Sequence, residues 1–186
     1  MLVPVFSLGR TQEMLTLVHR LRETEEIRDV EIYSAGFGGH VSRVYDRMAE
    51  QSRRVDEEAR LAQLDVRRLP PGDVTRGPHL KEPSIILVSS GMMAERTMSF
   101  RLAEKMLPYD HHGIFFVGYL DARMPGYRVA AARPGQILKM TEDGRSIPVA
   151  CRIEQFHFSA HSNRRSLVDL VKRMRPRTLV LVHGDE

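Results

Sequence analysis

The stretch LVPVFSLGRTQEMLTLVHRL, residues 2–21, decides the expected fold. Residues 2–6 form a short apolar run rich in β-branched side chains, which predicts a strand. After Gly9 the apolar residues recur at helical spacing, with Thr11 as the expected N-cap and Glu13 in the first turn. The stretch therefore predicts a strand, a turn and a helix.

The same alternation repeats along the chain. Residues 30–33 (VEIY) predict a second strand, followed by glycines and a helix ending near Met48. The apolar runs at 85–88 and 114–117 predict buried strands, with a helix at 98–107 between them. Strands alternating with helices predict an α/β fold with a mostly parallel sheet covered by helices.

Two segments depart from this alternation. The charged residues 49–68 are expected to form an exposed helix. Residues 136–140, the turn EDGR and residues 147–153 predict a β-hairpin, and thus an antiparallel extension near 136–153. The chain then closes with FHFSAHSN, a helix near 166–174 and an expected strand at 178–182.

Length and composition limit the class of protein. The 186 residues are 42% hydrophobic and 28% charged, which suits one ordinary domain or two small ones. No run approaches the length of a membrane span, and no signal peptide is recognised. The single cysteine, Cys151, excludes an internal disulfide framework. A cytoplasmic location is expected.

Arginine dominates the basic residues, with 24 Arg against four Lys. That bias favours forked recognition of phosphate, although the codon usage of a GC-rich genome explains it equally well. Basic residues are densest at 164–177, where six of them meet one acid, Asp169. Arg164 and Arg165 are candidate phosphate contacts, and a solvated helix face is the alternative.

Two of the eight histidines occupy positions typical of a site. His161 lies at an expected strand-to-helix junction, and His183 directly follows the run LVLV. The carboxyl ends of strands collect ligand groups in open α/β sheets, although each histidine could instead be a packing or surface residue. The chain contains no HExxH, CxxC or His-x-His-x-Asp-His motif, and two histidines alone do not hold a catalytic zinc.

Other chemistries have weaker support. GFGGHV lacks the third glycine of a dinucleotide-binding fingerprint, and Ser159 lacks a GxSxG elbow. Cys151 lies in an apolar strand, which argues against a nucleophilic role. The loop SSGMM could present Ser89, Ser90 and Gly91 to a phosphate, or it could be a simple turn.

Six blocks occur in an order that resembles one family. They are VPVFSLGRTQEML, IYSAGFG, PSIILVSSGMM, IFFVGYLDARMPGYR, FSAHSN and LVLVHGDE. In that order and spacing they resemble the β-CASP group of metallo-β-lactamase-fold nucleases, which cut RNA, over nearly the whole chain. FSAH and VHG resemble the family's motifs B and C. The resemblance implies that His183 is a zinc ligand and that His161 contacts the scissile phosphate. RNA or phosphate contacts are also expected of Ser89, Ser90, Gly91, Ser159, Arg164 and Arg165.

The same resemblance implies that two segments of the chain have different roles. Residues 1–156 would form the β-CASP domain, and residues 157–186 would return toward a metallo-β-lactamase domain supplied in cis or in trans. The family's His-x-His-x-Asp-His signature and acidic motif A, which complete a site for two zinc ions, do not occur in this chain. The chain alone is therefore expected to be inactive. RNA is the expected substrate, no membrane is involved, and a second copy of the chain is an alternative partner.

Two departures from the family pattern bear on activity. Asn163 stands where motif B usually has Asp, which removes a negative charge near His161 but still allows a helix cap. Ala94, Glu95 and Arg96 replace glycines that follow the SSGM block. These departures motivate a second hypothesis, a noncatalytic β-CASP module that binds RNA or a nuclease subunit. A third is a small-molecule binding domain that uses GFGGH.

Overall fold

The structure is a computed structural model that describes residues 1–52, 60–69, 74–156, 158 and 162–182. Thirteen helices and strands are used below, with three short 3-10 helices between them at Ala49–Gln51, Leu61–Gln63 and Pro78–Leu80. In chain order they are β1 (Leu2–Pro4), α1 (Arg10–Glu23), β2 (Glu31–Ala35), α2 (Gly38–Arg47), β3 (Arg67–Arg68), β4 (Ser84–Val88), α3 (Met98–Met106), β5 (Gly113–Phe116), α4 (Pro125–Ala131), β6 (Ile137–Lys139), β7 (Ser146–Pro148), β8 (Arg152–Gln155) and α5 (Arg164–Met174).

Six strands form one parallel sheet in the order β3-β2-β4-β1-β5-β8. β4 lies between β1 and β2, and all five of its residues are buried. A strand buried on both faces needs apolar side chains at every position, which is why SIILV carries no alternation. The predicted α/β class with a parallel sheet is confirmed.

Alternate residues of the central strands pack into two separate cores. Val3, Ile85 and Leu87 pack with the apolar face of α1. Leu2 and Ile86, their neighbours along the strands, pack with α3, α4 and the hairpin on the other face. Because successive strand side chains point to opposite faces, one apolar run supplies both cores. Helices thus cover the sheet on both sides.

Helix α1 begins where expected but not with the expected cap. Gly9 is the N-cap, with φ of 77°, and the Thr11 side chain lies inside the first turn. The Thr11 hydroxyl donates to Phe6 O at 2.7 Å, and Thr11 is buried against Gly38. Thr11 is therefore not the cap. Its role is to tie the end of β1 to α1 and α2. Glu13 lies in the first turn, as expected.

The hairpin is confirmed, although its second strand is shorter than expected. β6 and β7 pair antiparallel in a sheet of their own. The chain then turns, because the N–H groups of Ala150 and Cys151 both donate to Leu107 O. Residues 152–155 consequently form β8, which pairs parallel with β5 in the main sheet.

Three other expectations need correction. In the described part of 49–68 there is no continuous helix, only two 3-10 turns and β3, which adds an edge strand beside β2. Helix α4 was not predicted, because its first residues, Pro125 and Gly126, look like a turn in sequence. No strand forms at 178–182, since none of the described strands pairs with it. Within the described ranges no helix is long and apolar enough to span a membrane.

Candidate nucleic-acid interface

Four loops converge at the carboxyl edge of the parallel sheet. A Cβ on Gly36, after β2, would collide with the hydroxyl of Ser89, after β4. A Cβ on Gly91 would lie 3.0 Å from Phe6 N, and one on Gly118 would lie 3.5 Å from the Phe6 ring. The loops after β1, β2, β4 and β5 can approach this closely because those positions carry no side chain. This edge lies where α1 and α3 leave toward opposite faces, the usual ligand-binding position in such sheets.

The loop that holds Ser89, Ser90 and Gly91 is braced by its own polar groups. The Ser99 hydroxyl donates to Ser90 O at 2.8 Å, and Met93 N donates to the same oxygen at 3.2 Å. Met92 N donates to Ser90 Oγ at 3.3 Å. Two of the loop's N–H groups are therefore used within the loop. The three candidate residues lie at the convergent edge, and their contact with phosphate stays a prediction.

Backbone geometry after this loop favours glycine at one of the three positions where the family resemblance led us to expect it. Of Ala94, Glu95 and Arg96, only Arg96 has a positive φ, at 64°, and Met93 just before them has a φ of 52°. This left-handed region favours glycine, because a Cβ there crowds the following carbonyl. The chain keeps the conformation with larger residues, so Arg96 places a long cationic side chain where a glycine would leave open backbone.

Arg10 links this edge to the motif B segment. Its Nη2 donates to Phe158 O at 2.8 Å, and its Nη1 donates to Glu13 Oε2 at 2.6 Å. The Arg10 side chain is only 10% exposed. Phe158 in turn stacks on Phe156, with ring centroids 6.3 Å apart. Nothing near Arg10 in the sequence indicates this role, because its partner lies 148 residues away.

The three remaining candidate residues of motifs B and C lie outside the described residues. They are Ser159, His161 and His183. Asn163 lies within them and acts as the N-cap of α5, with Oδ1 accepting from Ser166 N at 2.9 Å. The expected cap is confirmed. Asn163 therefore fulfils the structural part of the motif B position without its charge.

Helix α5 has two different faces, both in solvent. Arg164, Arg165, Val168, Asp169 and Lys172 line one side, and Arg164 and Arg165 form no ion pair with another described residue. Leu167, Leu170 and Met174 line the other, and each is exposed. Residues three and four apart share a face of a helix, so the basic and apolar stripes are continuous. No residue of α5 is buried.

The run after α5 is also uncovered. Leu179, Val180, Leu181 and Val182 are between 55% and 84% exposed. Together with the apolar stripe of α5 they are defined here as the C-terminal apolar surface. Large exposed patches of apolar side chains mark interaction sites in folded proteins.

The described residues provide neither a metal-binding group nor a reactive cysteine. Across the described ranges, no group of three His, Cys, Asp or Glu side chains could hold a metal ion. Those residues therefore do not fit a zinc centre by themselves. Cys151 is buried, and burial raises the pKa of its thiol to about 11. A protonated, enclosed thiol is not a nucleophile at neutral pH, as the sequence predicted.

Two family models match this chain. One, described as the Beta-Casp domain, matches residues 11–129, and the other, described as a Zn-dependent metallo-hydrolase RNA specificity domain, matches residues 146–186. The second range contains α5 and the C-terminal apolar surface.

Curated relatives align along the whole chain. Cleavage and polyadenylation specificity factor subunit 3-II of Arabidopsis thaliana is 25% identical, over 100% of this chain and 30% of its own length. An RNase J-like protein of Methanocaldococcus jannaschii is 26% identical, over 99% and 42%. Transcription termination factor FttA of Methanothermobacter thermautotrophicus is 28% identical, over 99% and 30%. The chain thus spans less than half the length of these relatives. Because the Beta-Casp match covers more than half of it, the chain belongs to the β-CASP family of metallo-β-lactamase-fold RNA-processing nucleases.

Proposed function

We propose that this chain is the RNA-recognising β-CASP portion of a zinc-dependent ribonuclease and works beside a metallo-β-lactamase domain, in cis or in trans. The observation that carries the proposal is α5, an exposed basic helix inside the range that matches an RNA specificity domain. RNA binding supplies a reason for unpaired arginines on a helix that has no buried residue. The names of the three relatives, a cleavage factor, an RNase J-like protein and a termination factor, support the same direction.

The roles of the two histidines follow the family resemblance, and the phosphate contacts are those expected from the sequence. Phosphate contacts are assigned to Arg164, Arg165 and Ser159, and to the loop of Ser89, Ser90 and Gly91. His161 is assigned to the scissile phosphate and His183 to zinc. Most zinc ligands would come from the metallo-β-lactamase domain.

The C-terminal apolar surface supports the partner domain in this proposal. Burying one leucine side chain contributes roughly 1.5–3 kcal/mol, so an uncovered stripe of Leu167, Leu170 and Met174 forgoes several kcal/mol of stabilisation. A metallo-β-lactamase domain that covers this stripe and pairs with residues 178–182 would recover it. The basic stripe of α5 would then remain free for RNA.

A salt titration tests the RNA-binding part. The affinity of the chain for single-stranded RNA should fall steeply with salt, because arginine–phosphate contacts release counterions. The double substitution Arg164→Ala and Arg165→Ala should reduce the slope of log K against log salt by about 1.4, near 0.7 for each lost contact. Arg20→Ala with Arg28→Ala is the matched control, since it removes equal charge from α1 and the loop at the opposite edge of the sheet.

Three results of this titration would contradict parts of the proposal. An unchanged slope in the α5 variant would make this stripe an ordinary solvated face. Equal losses in both pairs would reduce the effect to net charge. No measurable affinity of the unaltered chain for RNA at low salt would overturn the RNA-binding proposal itself.

A second candidate function rests on Asn163. The same fold could serve as a noncatalytic module that binds RNA or a nuclease subunit. The Asn163 side chain caps α5 and carries no charge, so it would not supply the carboxylate usual in motif B. In the protein that contains the partner domain, Asn163→Asp should leave RNA cleavage unchanged if the site is already competent. A gain of cleavage from near zero would favour the noncatalytic function.

A further inference from the structure

A cleft of about 930 Å³ opens beside α2, at the carboxyl ends of β2 and β3. Its described walls come mainly from residues 34–46, residues 61–69 and the first turn of α3. None of the described residues of the motif B segment or of α5 lines it. Gly36 joins its rim to Ser89, so the cleft adjoins the loop already assigned to phosphate.

An exposed aromatic pair stands at the rim of the cleft. The Phe37 side chain is 63% exposed and stacks on His40, with ring centroids 5.1 Å apart and planes at 25°. Arg43 Nη2 donates to His40 Nδ1 at 3.3 Å, which holds the imidazole in place. A large aromatic ring that stays mostly in solvent at a cleft gains little stabilisation from burial. It does offer a flat face on which a nucleobase can stack.

The charge of the walls favours an anion. Among the described lining residues, Arg43 and Arg68 stand against one carboxylate, Asp46. The Asp46 oxygens accept from Leu61 N at 2.9 Å and from Ala62 N at 2.8 Å, so this carboxylate is held against the 61–62 backbone. The two arginines leave a net positive charge among these three side chains, which favours an anion such as a phosphodiester.

A buried hydroxyl indicates a polar occupant. Ser34 is 8% exposed, lines the cleft, and its Oγ has no hydrogen-bond partner among the described residues. Buried polar atoms are nearly always hydrogen-bonded, because an unsatisfied one costs its full desolvation penalty. A ribose or base atom in the cleft would provide the missing partner.

From these four features we propose that the cleft binds one unpaired nucleotide of single-stranded RNA. Its base stacks on the Phe37–His40 pair, and its phosphate lies toward Arg43 and Arg68. The inference rests on the proposed RNA-binding function and adds a subsite apart from motifs B and C. A base held here would position the strand along the carboxyl edge, past Gly36 to the Ser89–Gly91 loop.

A tryptophan reporter tests the subsite directly, because the chain contains no tryptophan. In Phe37→Trp, an oligoadenylate of about ten nucleotides should quench the fluorescence, since base stacking on aromatic rings is the expected contact. Tyr109→Trp is the matched control. Tyr109 is also exposed beside histidines, with His111 at 5.6 Å, but it precedes β5 at the opposite edge of the sheet. It should not be quenched.

Affinity gives a second readout. Phe37→Ala should weaken oligoadenylate binding about five- to 150-fold, the range for loss of one stacked base, whereas Phe37→Tyr should retain it. Phe37 is exposed, so the thermal midpoint of Phe37→Ala should match that of the unaltered chain. If the chain binds RNA in a salt-dependent way but neither affinity nor quenching depends on position 37, the subsite is refuted while the proposed function stands. If the unaltered chain binds no RNA, both fail. Quenching of Phe37→Trp by an acidic peptide as strongly as by RNA would also refute the nucleotide assignment.

Discussion

The runs IILV at 85–88 and LVLV at 179–182 have almost the same composition, yet the first is at most 7% exposed and the second at least 55%. The first lies between two parallel neighbours, β1 and β2, and is covered by helices on both faces. The second pairs with none of the described strands. The difference shows that an apolar run becomes a strand only where neighbours satisfy its backbone. The packed sheet and the C-terminal apolar surface should therefore respond to mutation in opposite ways.

The largest difference is expected in stability. Ile86→Ala removes a fully buried side chain and should cost about 2–5 kcal/mol of unfolding free energy, because it leaves a cavity. Leu181→Ala, at 84% exposure, should change that free energy by less than about 0.5 kcal/mol. Urea unfolding of the two variants compares them. Equal losses would mean that the C-terminal run is packed within this chain.

Association should reverse the ranking. Leu179→Ser with Leu181→Ser should weaken binding to a metallo-β-lactamase domain at least about tenfold, since two apolar contacts are lost, while the unfolding midpoint stays unchanged. Ile137→Ser is the control, because Ile137 is 75% exposed in the hairpin, outside the C-terminal apolar surface. Calorimetric titration measures the effect. Equal weakening by the control would place the interface elsewhere.

Arg10 connects the packed sheet to the motif B segment that precedes α5, and its loss should have an intermediate effect. Arg10→Ala removes the bond to Phe158 O and should speed exchange of the nearby Phe156 amide, which donates to Phe116 O, roughly fivefold, equivalent to about 1 kcal/mol. Glu13→Ala breaks the Arg10–Glu13 ion pair but leaves the Phe158 bond. It should not change exchange there. Equal exchange in both variants would show that Arg10 does not hold the segment.

A smaller effect concerns pH and belongs to the packed region. Burial, and then the charge of His111 and of the N-terminus, lowers the pKa of His112 to about 4. The unfolded chain binds this proton near pH 6.5, so stability should fall as pH decreases from about 6.5 to about 4. His112→Gln should flatten that part of the curve of unfolding free energy against pH. Superimposable curves would contradict the shift.

Much of the architecture could be predicted from local patterns. The buried runs of β4 and β5 and the spacing of α1 and α3 are strong signals, because each depends only on nearby residues. Helix α4 was not predicted because Pro125 and Gly126 are typical of a turn. In the structure Pro125 occupies the first turn of the helix, and Gly126 N donates to Met92 O. The prediction of a strand at 178–182 was wrong, because strand pairing depends on a partner strand rather than on the sequence of the run itself.

The sequence predicted which kinds of residues form the site better than it predicted the contacts between them. Ser89, Ser90 and Gly91 lie at the convergent edge, as expected for residues that follow a buried strand. The bond from Arg10 to Phe158 and the contact of Gly36 with Ser89 join residues distant in sequence. Only tertiary structure creates such contacts. The Phe37–His40 pair shows a spacing of three residues on a helix, but nothing in the sequence marks its cleft.

The central claim is that this chain supplies motifs B and C to a zinc nuclease, and paired histidine variants test it most directly. In the protein that contains the metallo-β-lactamase domain, His183→Ala should lower zinc content and RNA cleavage together. His161→Ala should leave zinc nearly intact and reduce single-turnover cleavage about 100- to 1,000-fold, as the loss of one donor to transition-state charge does. Metal analysis beside single-turnover kinetics measures both. Unchanged zinc and unchanged cleavage in both variants would contradict the claim.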